Sequence, residues 1–227
     1  AKKSNTRLPI IPHDQQINSP FTTTNVKKFS QNYPINRTSG MDQLPALVFR
    51  VLMDGPLLVL VSKFLSACYL YNILPFQMRV FKTILIPKNN RNSNPELNEL
   101  RPIGISNFMR LIYESIIKNE LTTYIPIHPS QTGFQRKRST NCNLQWVQET
   151  QDPETKTLLL DLEKAYDCVD IAVLIRTLLL NHNIPLHYIS IISQLFNTTY
   201  TKIYFNDRCT RYIKRTRGLA QGSVLAP

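Results

Sequence analysis

Asp161 is the residue in this chain best placed to do chemistry. It sits at the end of an apolar run, Thr157–Leu162 (TLLLDL). An ionised carboxylate there is costly to bury unless it is paired or holds a metal. Glu163 follows two residues on, so alternation along a strand would put both carboxylates on one face. Three uses stay open on residue type alone. The charge could emerge into solvent or pair with Lys164. Two carboxylates could serve a glycosidase as acid and nucleophile or base, although nothing else in the chain supports sugar binding and the single tryptophan, Trp146, lies outside the motif. Alternatively, Asp161 and a neighbouring backbone carbonyl could supply part of a site for a hard divalent cation, which prefers oxygen ligands and serves phosphoryl transfer.

Two further constellations bear on a partner. Between Thr201 and Gly218 the cations Lys202, Arg208, Arg211, Lys214, Arg215 and Arg217 face one acid, Asp207, and Tyr204 and Tyr212 interleave with them. Such a ribbon suits phosphate contacts, which give sequence-independent affinity. It also suits a solvated edge hairpin whose charges keep other strands away. Arg136, Lys137 and Arg138 form a smaller cluster of the same kind. Gln221–Gly222–Ser223 joins an amide that both donates and accepts to a glycine that permits close backbone approach. The whole chain carries 27 Lys+Arg against 15 Asp+Glu, a formal charge of +12, which favours a polyanionic partner, nucleic acid or an anionic membrane surface.

The elements that must position these residues can be read from period and punctuation. With 227 residues and 42% hydrophobic content, the chain can bury one large core or two small ones. Residues 1–24 have no sustained apolar period and are expected to form an extended or disordered lead-in. Asn36–Pro45 is a polar turn region where Gly40 supplies backbone freedom and Asp42 can cap the next helix. Pro56–Leu74 approaches the length of a membrane span, but Lys63 near its middle costs roughly 2.5–3.5 kcal/mol on insertion scales. Leu57, Leu60, Val61, Phe64, Leu65 and Cys68 instead recur at the spacing of a core helix, so a membrane partner is not expected. Val80–Ile86 is β-rich and ends at Pro87. Ser106 or Asn107 caps a helix with Leu111, Ile112, Ser115 and Ile116 on one face, and Pro126 and Pro129 end that segment. Thr157–Leu162 is a buried strand. Asp170 caps a helix with Ile171, Leu174, Ile175, Leu178 and Leu179 inward, and another helix comes after Pro185. Thr201–Phe205 and Thr210–Thr216 flank Asn206–Arg208 as a hairpin. Interleaved helices and strands give an α+β class.

The four cysteines, Cys68, Cys142, Cys168 and Cys209, form no C-x-x-C pair and read as reduced thiols of an intracellular protein. No apolar signal segment opens the chain. The first residue is Ala1, not Met, which points to a fragment or a processed chain.

Taken in order, the segments resemble a reverse transcriptase of the non-LTR retrotransposon class, related to group II intron reverse transcriptases. TSGMDQLP (Thr38–Pro45) resembles the family's N-terminal PGxDGIP segment, TILIPK (Thr83–Lys88) its first fingers strand, and LRPIGISN (Leu100–Asn107) its RPI motif. QTGF with RKRST (Gln131–Phe134, Arg136–Thr140) resembles its QxGF…RST segment. LLLDLEKAYDCVD (Leu158–Asp170) is very similar to LDxxKAFDxV, and RGLAQGSVLAP (Arg217–Pro227) to GxPQGSxLxP. The resemblance covers about residues 25 to 227. It implies a partial right-hand polymerase fold, with residues 25–150 fingers-like, 151–227 an incomplete palm, and the thumb absent. It implies RNA-directed DNA synthesis, adding deoxynucleotides to a primer 3′-hydroxyl by two-metal phosphoryl transfer with Mg2+ or Mn2+. RNA template, DNA primer and deoxynucleoside triphosphates are the implied partners.

By the same resemblance Asp161 matches the first metal-binding aspartate, the Leu162 carbonyl the backbone ligand, and Tyr166 the aromatic gate against a 2′-hydroxyl. Lys88 and Arg101 match segments that cover the triphosphate, while Gln221 and Gly222 match residues near the nucleotide and template. Ala220 stands where many relatives have Pro, which should loosen the turn before Gln221, and Tyr166 replaces the commoner Phe. The family's two-aspartate turn lies downstream of QGSxLxP, and this sequence stops at Pro227. The polymerase centre is therefore expected to be incomplete and the chain inactive alone. The alternative is a non-catalytic RNA-binding module derived from such a polymerase.

Overall fold

The computed structural model describes residues 17–89, 94–135, 137–152, 154, 156–181, 183–205 and 208–227. It mixes helices with one small sheet. Residues 1–16 of the expected lead-in lie outside the described residues, whereas the end of that segment is not a loose tail. Phe21 is buried against Tyr69 and stacks on Tyr113 at 4.8 Å. Thr22 then accepts from the Asn25 amide and starts α1 (Thr23–Gln31). This polar helix buries Val26 and Ser30.

Proline sets the entry to several helices, because its fixed φ lies close to what the first turn requires. Pro45 precedes α2 (Ala46–Leu52), Pro56 precedes α3 (Leu57–Leu70) and Pro75 precedes the short α4 (Phe76–Arg79). Helix α3 stops where Asn72 adopts φ +51° and the Ile73 amide donates back to the Cys68 carbonyl at 3.0 Å. It buries Val61, Leu65 and Cys68 as expected, but Leu60 and Phe64 face outward. Among the described residues no single helix is long and apolar enough to cross a membrane. Helices α2 and α3 reach that length and composition only together, bent by 97°.

The sheet comes next in the chain. Strand β1 (Val80–Pro87) leads through a short 3-10 turn, Leu97–Glu99, to β2 (Leu100–Ile105), which pairs with it antiparallel. Helix α5 (Phe108–Leu121) starts at Asn107, whose side chain caps it by accepting from the Arg110 amide. Asp42 caps this helix too, accepting from the Phe108 amide at 3.0 Å, rather than the nearby α2. Gly40 is needed for room more than for freedom: a Cβ there would sit 2.7 Å from the Ser106 carbonyl oxygen. The loop through Gln131–Ser139 leads to α6 (Thr140–Thr150), which buries none of its residues.

After α6 the expected buried strand, Thr157–Leu162, is not formed. The segment has no regular structure and pairs with no strand among the described residues, and Leu158, Leu159, Leu160 and Leu162 are 79–88% exposed. A strand needs an edge, and the described sheet offers little. Strand β1 is flanked on both sides, β3 carries other strands, and Gln221 accepts from the Gly104 amide on the outer side of β2.

The short α7 (Ala165–Cys168) precedes α8 (Ile171–Asn181), which Asp170 caps through the Ala172 and Val173 amides. Ile171 and Ile175 are buried and Leu174 and Leu178 partly so, while Leu179 turns outward. Pro185 starts α9 (Leu186–Asn197). Strand β3 (Tyr200–Phe205) then pairs parallel with β1, and β4 (Arg208–Cys209) and β5 (Ile213–Lys214) both return antiparallel along β3. The expected return is formed only in part: Arg208, expected in the turn, pairs with Phe205 in β4, and of Thr210–Thr216 only Ile213–Lys214 is paired, while Asn206 and Asp207 lie outside the described residues. Thr83 and Thr201 join β1 to β3 through their hydroxyls in the interior.

One core runs through both halves of the chain, from Phe21 and Leu65 to Ile116, Ile189 and Leu195. A buried ion pair crosses it. Arg110 Nε donates to Glu114 Oε1 at 2.6 Å, with both side chains at 1% exposure or less. Removing one partner of such a pair strands the other charge and costs about 3–5 kcal/mol. Urea denaturation of Glu114→Ala is expected to show a loss of that order; a loss below about 1 kcal/mol would contradict the role given to the pair.

His187 on α9 is also buried, edge-on to Tyr69 at 4.4 Å and close to the Tyr69 backbone. Burial holds its pKa below the ordinary value of 6.5. The unfolded chain therefore takes up a proton first as pH falls through about 6.5, so folding stability drops below that pH and is level above it. His187→Phe should flatten that acid limb in denaturation curves measured between pH 5 and pH 8; an unchanged limb would show that other groups cause it.

Candidate nucleotide and nucleic-acid site

Two sequence segments fold against each other to make the site. The first is the turn and helix from Lys164 to Asp170, opened by Lys164 in the left-handed region at φ +51°. The second runs from Arg215 to Val224. The Leu219 amide donates to the Tyr166 carbonyl at 2.8 Å, and the Gly218 amide to the Val169 carbonyl at 2.9 Å. Arg217 Nε reaches the Cys168 carbonyl at 3.2 Å. Gly218 has φ +77°, and a Cβ on it would lie 2.8 Å from the Asp167 backbone, so only glycine lets the segments meet.

The next residues dock on the sheet edge. The Gly104 amide of β2 donates to the Gln221 carbonyl at 2.6 Å. Gly222 has φ +120°, and a side chain there would run into the Gly104 carbonyl oxygen. The turn is closed by Ser223, whose amide donates to the Ala220 carbonyl at 3.0 Å, so alanine at 220 does not leave it open. Glu114 then holds the segment from below, accepting from the Ser223 hydroxyl at 2.8 Å and the Val224 amide at 2.7 Å.

The structure therefore brings Tyr166, Gln221 and Gly222 together with β2. Tyr166 packs partly buried against the core. The Gln221 side chain donates through Nε2 to Asp167 Oδ2 at 3.3 Å. Lys88 lies in a different groove, of about 350 Å3, shared with Asn98, Glu163 and Lys164. Arg101 is exposed on β2, opposite Ile86.

Asp161 and Leu162 are not drawn into this cluster. They stand exposed on the unpaired segment, and Asp161 has no hydrogen-bond or ion-pair partner among the described residues. Lys164 pairs loosely with Glu163, at 3.9 Å, rather than with Asp161. Oxygen donors at Asp161 and the Leu162 carbonyl suit a hard cation. Yet among the described residues no three carboxylate, histidine or cysteine groups converge to hold one. The arrangement seen does not complete a metal site.

The basic ribbon is partly as expected. Lys202 lies over the rings of Tyr204 and Tyr212 at 5.6 and 5.5 Å, and Lys82 from β1 lies over Tyr204 at 5.3 Å. Arg211 and Lys214 are exposed beside them. Lys82 escaped sequence reasoning because only the parallel register sets it opposite Lys202. Arg215 departs from the expected phosphate-facing set. Its guanidinium turns inward, donating to the Leu219 carbonyl at 3.0 Å and standing 3.5 Å from Asp167 Oδ1. Burial lowers its pKa, and Asp167 opposes that shift. Lys137 and Arg138 are exposed on their loop, where Arg138 donates to the Pro129 carbonyl, while Arg136 lies outside the described residues.

Gly222→Ala should push Gln221 off the sheet edge. Hydrogen exchange at the Gly104 amide is expected to speed up in that variant, while exchange at amides within α9 stays unchanged; retained protection at Gly104 would show that the turn tolerates a side chain.

A family model described as reverse transcriptase (RNA-dependent DNA polymerase) matches residues 86–227, which is well over half of the chain and includes both segments that meet at the edge of β2. The enzymes of that family join deoxynucleotides on an RNA template and generally use divalent metal ions. The chain belongs to the reverse transcriptase family.

Proposed function

We propose that this chain carries the nucleotide- and template-contacting part of an RNA-directed DNA polymerase of the non-LTR retrotransposon class, related to group II intron enzymes. The observation that carries the reading is the junction of the 164–170 and 215–224 segments at the edge of β2, which puts Tyr166 and Gln221 in one place. In this reading the Tyr166 ring fills the space a 2′-hydroxyl would need, so deoxynucleotides are preferred. Gln221 and Gly222 border the nucleotide and template pair. Lys88 and Arg101 supply fixed cations for the triphosphate. Asp161 and the Leu162 carbonyl are the oxygen donors assigned to Mg2+ or Mn2+ in this reading. The 227-residue chain is expected not to polymerise by itself. Its four unpaired cysteines fit the reducing interior of a cell.

A second reading, a non-catalytic RNA-binding module, is favoured by the half-buried face of Lys82, Lys202 and Tyr204 beside the exposed Tyr212, which needs no metal. Cations over aromatic rings suit a single strand, whose bases stack while its phosphates are neutralised. The two readings separate on one experiment. The full-length protein that contains these residues is given a DNA primer on an RNA template, and extension is measured with deoxy- and ribonucleotides. Extension is expected, with Tyr166→Ala raising ribonucleotide use relative to deoxynucleotide. Strand binding without extension would favour the module and sink the polymerase reading. Lys82→Ala with Lys202→Ala should weaken binding of either strand type and reduce the slope of log affinity against log salt by about 1–2.

A further inference from the structure

An unrestrained glutamine amide has two orientations of similar shape, and in water neither is preferred. Gln221 is restrained in both its backbone and its side chain. Its carbonyl is fixed by the Gly104 amide at 2.6 Å, and Gly222 behind it leaves no room for the backbone to turn. The side chain meets Asp167, and an ionised carboxylate only accepts. The amide nitrogen must therefore face Asp167, as it does at 3.3 Å, and Oε1 is left without a protein partner among the described residues.

Asp167 is itself held. Arg215 stands 3.5 Å from its other oxygen and is tied to the Leu219 carbonyl at 3.0 Å. The Asp167 amide donates to the Lys164 carbonyl at 2.9 Å, and Gly218 packs directly on its Cα. We propose that Asp167 is a positioning residue, whose carboxylate turns the Gln221 amide nitrogen inward so that the amide oxygen is what the bound nucleotide meets. The Gln221 side chain then acts as an acceptor, and it selects nucleotides that present an O–H or N–H donor there. Arg215 holds the Asp167 carboxylate from its other side, which explains why it turns away from the basic ribbon. The inference rests on the polymerase reading above.

The test is a double-mutant cycle in the full-length protein, read by single-nucleotide incorporation on a primed RNA template. Asp167→Ala is expected to raise the KM for the nucleotide about tenfold while kcat changes by less than about twofold. Asp167→Asn, which keeps shape and a hydrogen bond but no longer dictates the amide's direction, should fall between. It also carries the test if the alanine variant unfolds, with thermal melting as the check. In a Gln221→Ala background the Asp167 substitutions should add nothing, because Asp167 acts through that side chain. Losses that multiply in the double variant, or a fall in kcat with KM unchanged, would overturn the proposal while leaving the polymerase reading intact. A wild-type protein that incorporates no nucleotide would instead remove the reading on which it rests.

Discussion

The Arg110–Glu114 pair is the constraint on which the rest of this architecture leans. Both charges are out of water, and neither can stay there alone. Arg110 uses its remaining donors on the Met78 carbonyl, just before β1, and on the Leu195 carbonyl of α9, and its plane lies 4.4 Å from the Phe81 ring centre. Glu114 offers its other oxygen to Ser223 and Val224. One ion pair therefore fixes where the sheet begins, where α9 lies, and where the turn after Gln221 runs. A hydrophobic pair of the same volume could fill the space, but it could not specify three backbone positions at once.

From that anchor the site is built through close approaches that only glycine allows. Gly40 makes room at the start of α5, Gly218 beside Asp167, and Gly222 beside Gly104. Each lets two backbones come closer than a Cβ permits, and each joins segments far apart in sequence. The site is thus made mainly of main chain. The Tyr166 and Gln221 side chains are carried on frames whose own carbonyls are already bonded. Such frames give precise placement at small entropic cost on binding.

What could be read in the sequence was whatever is local. The apolar period of α5, the Asp170 cap of α8 and the β-rich run of β1 all announce themselves within a dozen residues. Helix α1 did not, because it buries only Val26 and Ser30 and so carries no apolar stripe. Asp42 looked like a cap for its neighbour and instead serves a helix whose first residue lies 66 positions on. Arg110 and Glu114 have the spacing of an ordinary solvated pair on a helix surface; only burial of the residues around them reveals what they hold. The ordered motifs, by contrast, pointed to the reverse transcriptase family, because motif order survives where contact partners are invisible.

The same distinction explains Thr157–Leu162. Its leucines state a need for burial, but period alone cannot name the partner. Here four of them are 79–88% exposed. Burying a leucine is worth about 1.5–3 kcal/mol, so the segment holds a large unmet drive to pair. Strand β1 is flanked on both sides and β3 carries β4 and β5. Neither of the two central strands of the described sheet therefore offers the segment a free edge. Asp161 lies within this run, so its carboxylate has no fixed direction until the run is paired. Pairing the run and fixing the direction of the Asp161 side chain are then a single event, because the leucines and the carboxylate share one backbone segment.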